Sequence, residues 1–172
     1  MRNGSCGFTL IELVAAIVIV GTLAAVTLAR FAAQDPYAGV VVRDQIVAMA
    51  RAAQHRSLGH AGVQLILQPQ GDTLQMRIED ADGPLQSSAA PLRALLLSGK
   101  VNPAPLDSCA SEPGRAITDI VPFTLEYQLP GDLVLADGSP VTSQVHLCLD
   151  GDPSLTVCIA ATGFAYAGEC VP

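Results

Sequence analysis

The chain has 172 residues, with a formal net charge of -7 and 15% charged residues. That length fits one domain plus an appendage rather than two ordinary domains, and the acidic balance excludes a basic nucleic-acid footprint over the whole chain. Half of the residues are hydrophobic, which excludes disorder for the bulk.

The apolar excess lies at the front. From Phe8 to Ala29, 17 of 22 residues are apolar, the exceptions being Thr9, Glu12, Gly21, Thr22 and Thr27. As a helix this segment reaches roughly 33 Å, enough to cross a bilayer core of about 30 Å once. A secretory signal has a shorter apolar core and a small-residue cleavage site after it. Neither fits here. A plain signal anchor explains the length but not Glu12, because a carboxylate inside a bilayer costs about 3 kcal/mol even on the lenient insertion scale.

Gly7-Phe8-Thr9-Leu10-Ile11-Glu12-Leu13 resembles the amino-terminal motif of type IV prepilins and type II secretion pseudopilins. In that family a short leader ends in Gly, an inner-membrane prepilin peptidase cuts after it, and the new terminus is N-methylated. The resemblance implies that residues 1–7 are a cleaved leader, with cleavage between Gly7 and Phe8 and N-methylation of Phe8. It makes Glu12 the fifth mature residue, an assembly residue that pairs with the terminal amine of a neighbouring subunit. An α-amino group titrates near pH 8 and is largely cationic at neutral pH, so such a pair attracts strongly in an apolar core. Many pilins have Pro at the twenty-second mature position; here Ala29 occupies it.

Residues 8–30 are then the membrane and filament-core helix, and residues 31–60 its periplasmic continuation. Gln34-Asp35-Pro36-Tyr37-Ala38-Gly39 predicts a break near 35–39, because Pro36 disfavours helix at Asp35. A second helix is expected over Val41–Leu58, with Val42, Ile46, Met49 and Ala53 on one face. Gly59 is its expected stop, in the place where helices often take φ > 0. Arg43, Arg51, His55, Arg56 and His60 read as a solvated face. They offer no aromatic interleaving for nucleic-acid stacking, so no nucleic-acid partner is expected.

Past Leu58 the period changes toward two. Val63 to Gln68 and Leu74 to Glu79 read as a hairpin turning at Pro69-Gln70-Gly71-Asp72. A short helix is expected from Pro91 to Ser98, then a loop from Asn102 to Gly114. Phe123 to Leu129, Leu133 to Leu135, Val145 to Leu149, Leu155 to Ala160 and Phe164 to Tyr166 read as strands. Residues 61–172 thus form a β-rich periplasmic head. The whole is an α+β, pilin-like arrangement: a long N-terminal helix packed on an antiparallel sheet.

Helix Val41 to Gly59 leading into strands also resembles minor pseudopilins of the GspH and FimT type. Arg43-Asp44-Gln45, with Arg51 and Gln54, resembles one minor pilin of mannose-sensitive haemagglutinin pilus systems.

Five cysteines occur. Cys6 falls in the leader and lacks a lipobox. Cys109, Cys148, Cys158 and Cys170 belong to the part expected to face the periplasm, an oxidising compartment, so two disulfides are expected. If the strands around Asp150–Pro153 form a hairpin centred on Pro153, Cys148 faces Cys158, leaving Cys109 with Cys170. The alternative pairs Cys158 with Cys170 and Cys109 with Cys148. Zinc is not expected: there is no C-x-x-C, and His146 is the only nearby histidine. Asp80-Ala81-Asp82-Gly83 and Asp150-Gly151-Asp152 echo calcium loops but lack the later bidentate Glu, and turn chemistry explains both.

No nucleophile elbow or phosphate loop is present, so no enzymatic activity, cofactor or metal is expected. The reading is a structural subunit, a minor pilin or pseudopilin of a type IV pilus or type II secretion-like filament. Its expected partners are other pilins or pseudopilins, prepilin peptidase, the inner-membrane assembly platform and membrane lipid. It would sit in the inner membrane as a single-pass protein with a periplasmic head, then enter a filament in the periplasm or at the cell surface. The alternative is an adhesin or ligand-binding subunit on the same anchor.

Overall fold

A computed structural model describes residues 9–32, 37–92, 96–102, 109, 115–116, 122–129, 131–149 and 153–171. The chain divides into two units, Met1–Pro36 and Tyr37–Pro172. The first contributes one described helix, α1 (Leu10–Ala32). The predicted irregularity at 35–39 falls partly on residues 33–36, outside the described residues.

The second unit opens with α2 (Ala38–Ser57). Its buried face is the one the spacing implies: Val42, Ile46, Ala50 and Ala53 are completely buried and Met49 nearly so. The amides of Gly59 and His60 close on the carbonyl of Arg56 and end the helix. Gly59 does not enter the left-handed region. Gly62 does, at φ +69°, and turns the chain into the first strand.

Among the described residues ten strands follow, all paired antiparallel, in two five-stranded sheets. The first sheet has the order β3-β2-β1-β6-β7. It is built from β1 (Val63–Gln70), β2 (Thr73–Asp80), β3 (Gly83–Pro91), β6 (Phe123–Tyr127) and β7 (Leu133–Leu135). The second has the order β10-β9-β8-β4-β5. It contains β4 (Leu97–Val101), β5 (Arg115–Ala116), β8 (Gln144–Leu149), β9 (Thr156–Ala160) and β10 (Ala165–Ala167). The fold is α+β, as expected, but the head has two sheets where one was anticipated.

The β1–β2 hairpin forms with a tighter turn than predicted. Gln70 pairs with Thr73, leaving Gly71 and Asp72 as the loop. Gly71, at φ +56°, takes the first central position, where a two-residue hairpin loop needs positive φ. Pro69 is drawn into the strand. Pairing with β6 stops at Leu67 among the described residues, and proline is tolerated in a strand beyond such a limit.

The predicted helix from Pro91 to Ser98 is not formed as such. Pro91 ends β3, Leu97 begins β4, and residues 93–95 lie outside the described residues. Leu92 is buried and Leu96 is 71% exposed. β3 itself (GPLQSSAAP) escaped the sequence because it is an edge strand of small residues. Its pairing with β2 holds it, not an apolar alternation of its own.

The core lies where α2 and the inner faces of both sheets meet. α2 touches β1, β2, β3 and β6 of the first sheet and β9 and β10 of the second. Leu65, Leu67, Leu74, Met76, Ile78 and Leu125 come from the first sheet, and Val145, Leu147, Leu149, Val157 and Ile159 from the second. Fully burying one such side chain contributes about 1.5–3 kcal/mol relative to exposure. Gly163 is required by packing: at φ +79° it lies over the Tyr127 ring, and a Cβ there would come within 3.0 Å of that ring. Tyr127 is completely buried, and burial pushes its hydroxyl well above the usual phenol range.

Candidate functional site: the amino-terminal helix and the cysteine face

Gly7 and Phe8 lie outside the described residues. The description starts at Thr9, and its first contacts concern Glu12. The Thr9 amide donates to Glu12 Oε2 at 3.1 Å, and the Thr9 hydroxyl donates to the same oxygen at 2.9 Å. The Glu12 amide in turn donates to Thr9 Oγ1 at 3.4 Å. This is a reciprocal capping box, Thr9-x-x-Glu12, which satisfies donors that a helix start otherwise leaves open. The T-x-x-E spacing is the sequence signal for this cap, beside the intersubunit role that the resemblance implies for Glu12.

From Leu13 to Ala24, where the side chains are described, the helix is apolar on all sides. Leu10, Ile11, Leu13, Val14, Ile17, Val18, Ile19, Val20 and Leu23 are all more than half exposed or at that limit. The one polar side chain in this stretch, Thr22, turns inward and donates to the Ile19 carbonyl at 2.9 Å. Leu13, Ala16, Ile17, Val20 and Gly21 line a shallow apolar groove along one helix face. The groove is open at Gly21, where a Cβ would meet nothing within 4 Å.

Among the described residues no helix is long and apolar enough to cross a membrane. The described side chains of α1 end at Ala24, while the backbone helix runs on to Ala32.

The prokaryotic N-terminal methylation motif matches residues 2–28. The chain carries a prepilin-type amino terminus. No curated protein and no solved structure matches the chain. The match covers Gly7, Phe8, Glu12 and most of α1, and leaves the head untouched. A prepilin-type terminus supports a type IV pilin-like or pseudopilin protein, and implies contact with prepilin peptidase and with other pilins in general.

The basic residues on and just after α2 mostly tie it to the strands of its own unit. Arg43 pairs with Asp44 at 2.9 Å and donates to the Ser154 carbonyl. Arg51 donates to the Ala165 carbonyl at 2.8 Å and lies over the Phe164 ring at 5.5 Å. Arg56 reaches Gln86, and His60 lies 3.8 Å from the Asp80 carboxylate. Asp80 accepts from the amides of Asp82 and Gly83, which is turn chemistry. Residues 150–152 lie outside the described residues.

The four head cysteines gather on the second sheet, on the face turned away from the apolar core. Residues at even positions share that face: Ser98 and Lys100 on β4, His146 and Cys148 on β8, Thr156 and Cys158 on β9. The disulfides are Cys109–Cys148 and Cys158–Cys170, with Cα–Cα distances of 5.6 and 5.2 Å. This corrects the favoured Cys148–Cys158 bridge, and with it Cys109–Cys170. The reason is register. The hairpin is not centred on Pro153, because Pro153–Leu155 winds into a 3-10 turn before β9. Cys148 therefore faces Thr156, and Cys158 faces His146. The two cysteines share a face but stand two residues out of step. Cys109 comes in beside Thr156, whose hydroxyl lies 3.3 Å from its sulfur.

His146 is the residue the sequence underrated. It is 4% exposed, and its ring nitrogen and the sulfurs of Cys158 and Cys170 all lie within 4.8 Å of one another.

Proposed function

We propose that this protein is a minor pilin or pseudopilin, a structural subunit of a type IV pilus or type II secretion-like filament and not a catalyst. The observation that carries the reading is the methylation motif over residues 2–28, which takes in most of a helix whose apolar side chains stand exposed among the described residues of its own unit. Prepilin peptidase cuts after Gly7, Phe8 becomes the methylated terminus, and α1 holds the subunit in the inner membrane until assembly. The 23-residue helix reaches roughly 34 Å, which matches a bilayer core. In the filament the same apolar surface packs against other subunits.

Glu12 then has two roles available: the capping box with Thr9, and pairing with a neighbour's terminal amine. Two variants separate them. Glu12→Gln keeps a capping-box side chain but removes the charge, whereas Glu12→Val removes both. Both should reach the membrane at least as well as the natural chain, because a charge is removed from the apolar segment. Co-purification with filaments measures assembly. The reading expects both variants to incorporate poorly. Incorporation of Glu12→Gln at the natural level would contradict the charge-pairing role and leave Glu12 as a cap alone.

A further inference from the structure

We propose that His146, Cys158 and Cys170 form a zinc site in the reduced head, exchanging the Cys158–Cys170 disulfide for a metal tie. The proposal rests on the head alone and stands whether or not the chain assembles into a filament.

The ladder sets the geometry. His146 and Cys158 are directly opposed in the β8–β9 pairing, so both side chains leave the same face. Both are buried, at 4% and 0% exposure. Cys170 follows β10, whose Tyr166 is opposed to Cys158 on that strand's other side. The tail is turned back toward Cys158 at Gly168, which has φ +108°, and is held by a hydrogen bond from the Val171 amide to the Tyr166 hydroxyl at 3.0 Å. That bond is separate from the disulfide and is a second tie between the tail and β10.

The donor set is chemically apt. One imidazole and two thiolates are a recognised set for zinc, with water in the fourth place of a tetrahedron. Bonds of about 2.3 Å to sulfur and 2.0–2.1 Å to nitrogen place the donor atoms roughly 3.5–3.8 Å apart. The His146 nitrogen lies within 4.8 Å of both sulfurs, and the sulfurs, held at bonding distance by the disulfide, move apart by side-chain rotation once the S–S bond is broken.

The exchange balances. An external dithiol supplies two electrons and two protons and becomes a disulfide, while the Cys158–Cys170 bond breaks to two thiols. Zinc binding then releases two protons, one from each thiol. Two thiolates and Zn²⁺ sum to no net charge. Lys100, which faces His146 from β4 on the side away from Cys158, therefore does not oppose the ion. The tail stays tied to β9 in both redox states, by a disulfide in one and by zinc in the other.

The test uses the full chain in detergent, reduced with a phosphine, stripped of metal and titrated with Co²⁺ under inert gas. The proposal expects one cobalt per chain, with thiolate-to-cobalt charge-transfer absorption that zinc abolishes by displacement. The oxidised chain should give none. Cys170→Ser changes a partly buried tail residue and should weaken binding at least tenfold, as should His146→Gln. Cys109→Ser, which removes a sulfur of the other disulfide, should leave binding unchanged. Absence of the charge-transfer band in a reduced chain that keeps its sheet signal by circular dichroism would overturn the proposal. So would natural-strength binding by Cys170→Ser, or loss of the sheet signal on reduction, since the β8–β9 ladder is what holds His146 against Cys158.

Discussion

The two helices of this chain are of similar length and put their apolar residues to opposite uses. α2 spends them within its own unit: Val42, Ile46, Ala50 and Ala53 are wholly buried against two sheets. α1 leaves them out: Ile17 is 63% exposed and Val20 65%. A contiguous apolar surface of this kind marks a site for lipid or for protein partners. α2's sequence alternates apolar and charged faces, whereas α1 has no polar face after Glu12. One helix is thus written for a half-buried position and the other for an apolar surrounding on every side.

Substitution at matched positions sharpens this contrast most. Ile46→Asp puts an unpaired carboxylate into the core, a change that costs several kcal/mol in a domain with a typical margin of about 5–15 kcal/mol. The expected outcome is a head that loses cooperative thermal unfolding. Ile17→Ala removes an exposed side chain and should leave the head's unfolding free energy within about 0.5 kcal/mol of the natural value. Equal effects of the two changes would erase the distinction between the helices.

The disulfides come next, since the head carries them and α1 carries none. By loop-closure arithmetic the Cys109–Cys148 bridge, of separation 39, stabilises by about 4 kcal/mol. The Cys158–Cys170 bridge, of separation 12, stabilises by about 3 kcal/mol. Replacing either pair with serine should lower the melting temperature by roughly 10 °C, with the longer loop costing more. Calorimetry of the two double variants checks the order. Peptide mapping without reduction should find Cys109 joined to Cys148, and a Cys148–Cys158 fragment would refute the register described for β8 and β9.

A smaller effect comes from Asp137. It accepts from the Ser139 amide at 2.9 Å, which holds its carboxyl below the usual carboxylate range. A depressed folded pKa adds stability above the unfolded value of about 4, and that stability is lost as pH falls through the folded value. Asp137→Ala should therefore flatten the acid limb of a pH–melting curve slightly and leave neutral pH nearly unchanged, since the group is fully exposed.

Much of this was legible in the sequence where a period or a special residue type fixed the local answer. The 3.6 period of α2, the alternation of β1, β2 and β6, and the Gly7-to-Leu13 motif are of that kind. What escaped had non-local causes. β3 is set by pairing with β2, and β4 looked helical because its Leu-rich approach hid a strand whose partner, β8, is distant in sequence. The cysteine pairing turned on two residues of register, which a 3-10 turn at Pro153–Leu155 decided. Glu12's cap with Thr9 was visible as T-x-x-E, but the resemblance to prepilins supplied a different role for the same side chain.

The central claim is that the front of the chain is a prepilin terminus, cut and methylated before assembly. Intact-mass measurement of the protein recovered from membranes of cells with active prepilin peptidase tests it most directly. The account predicts a chain beginning at Phe8 and heavier by one methyl group, and a Gly7→Arg variant that keeps its leader and fails to enter filaments. A natural chain recovered with residues 1–7 still attached would contradict it.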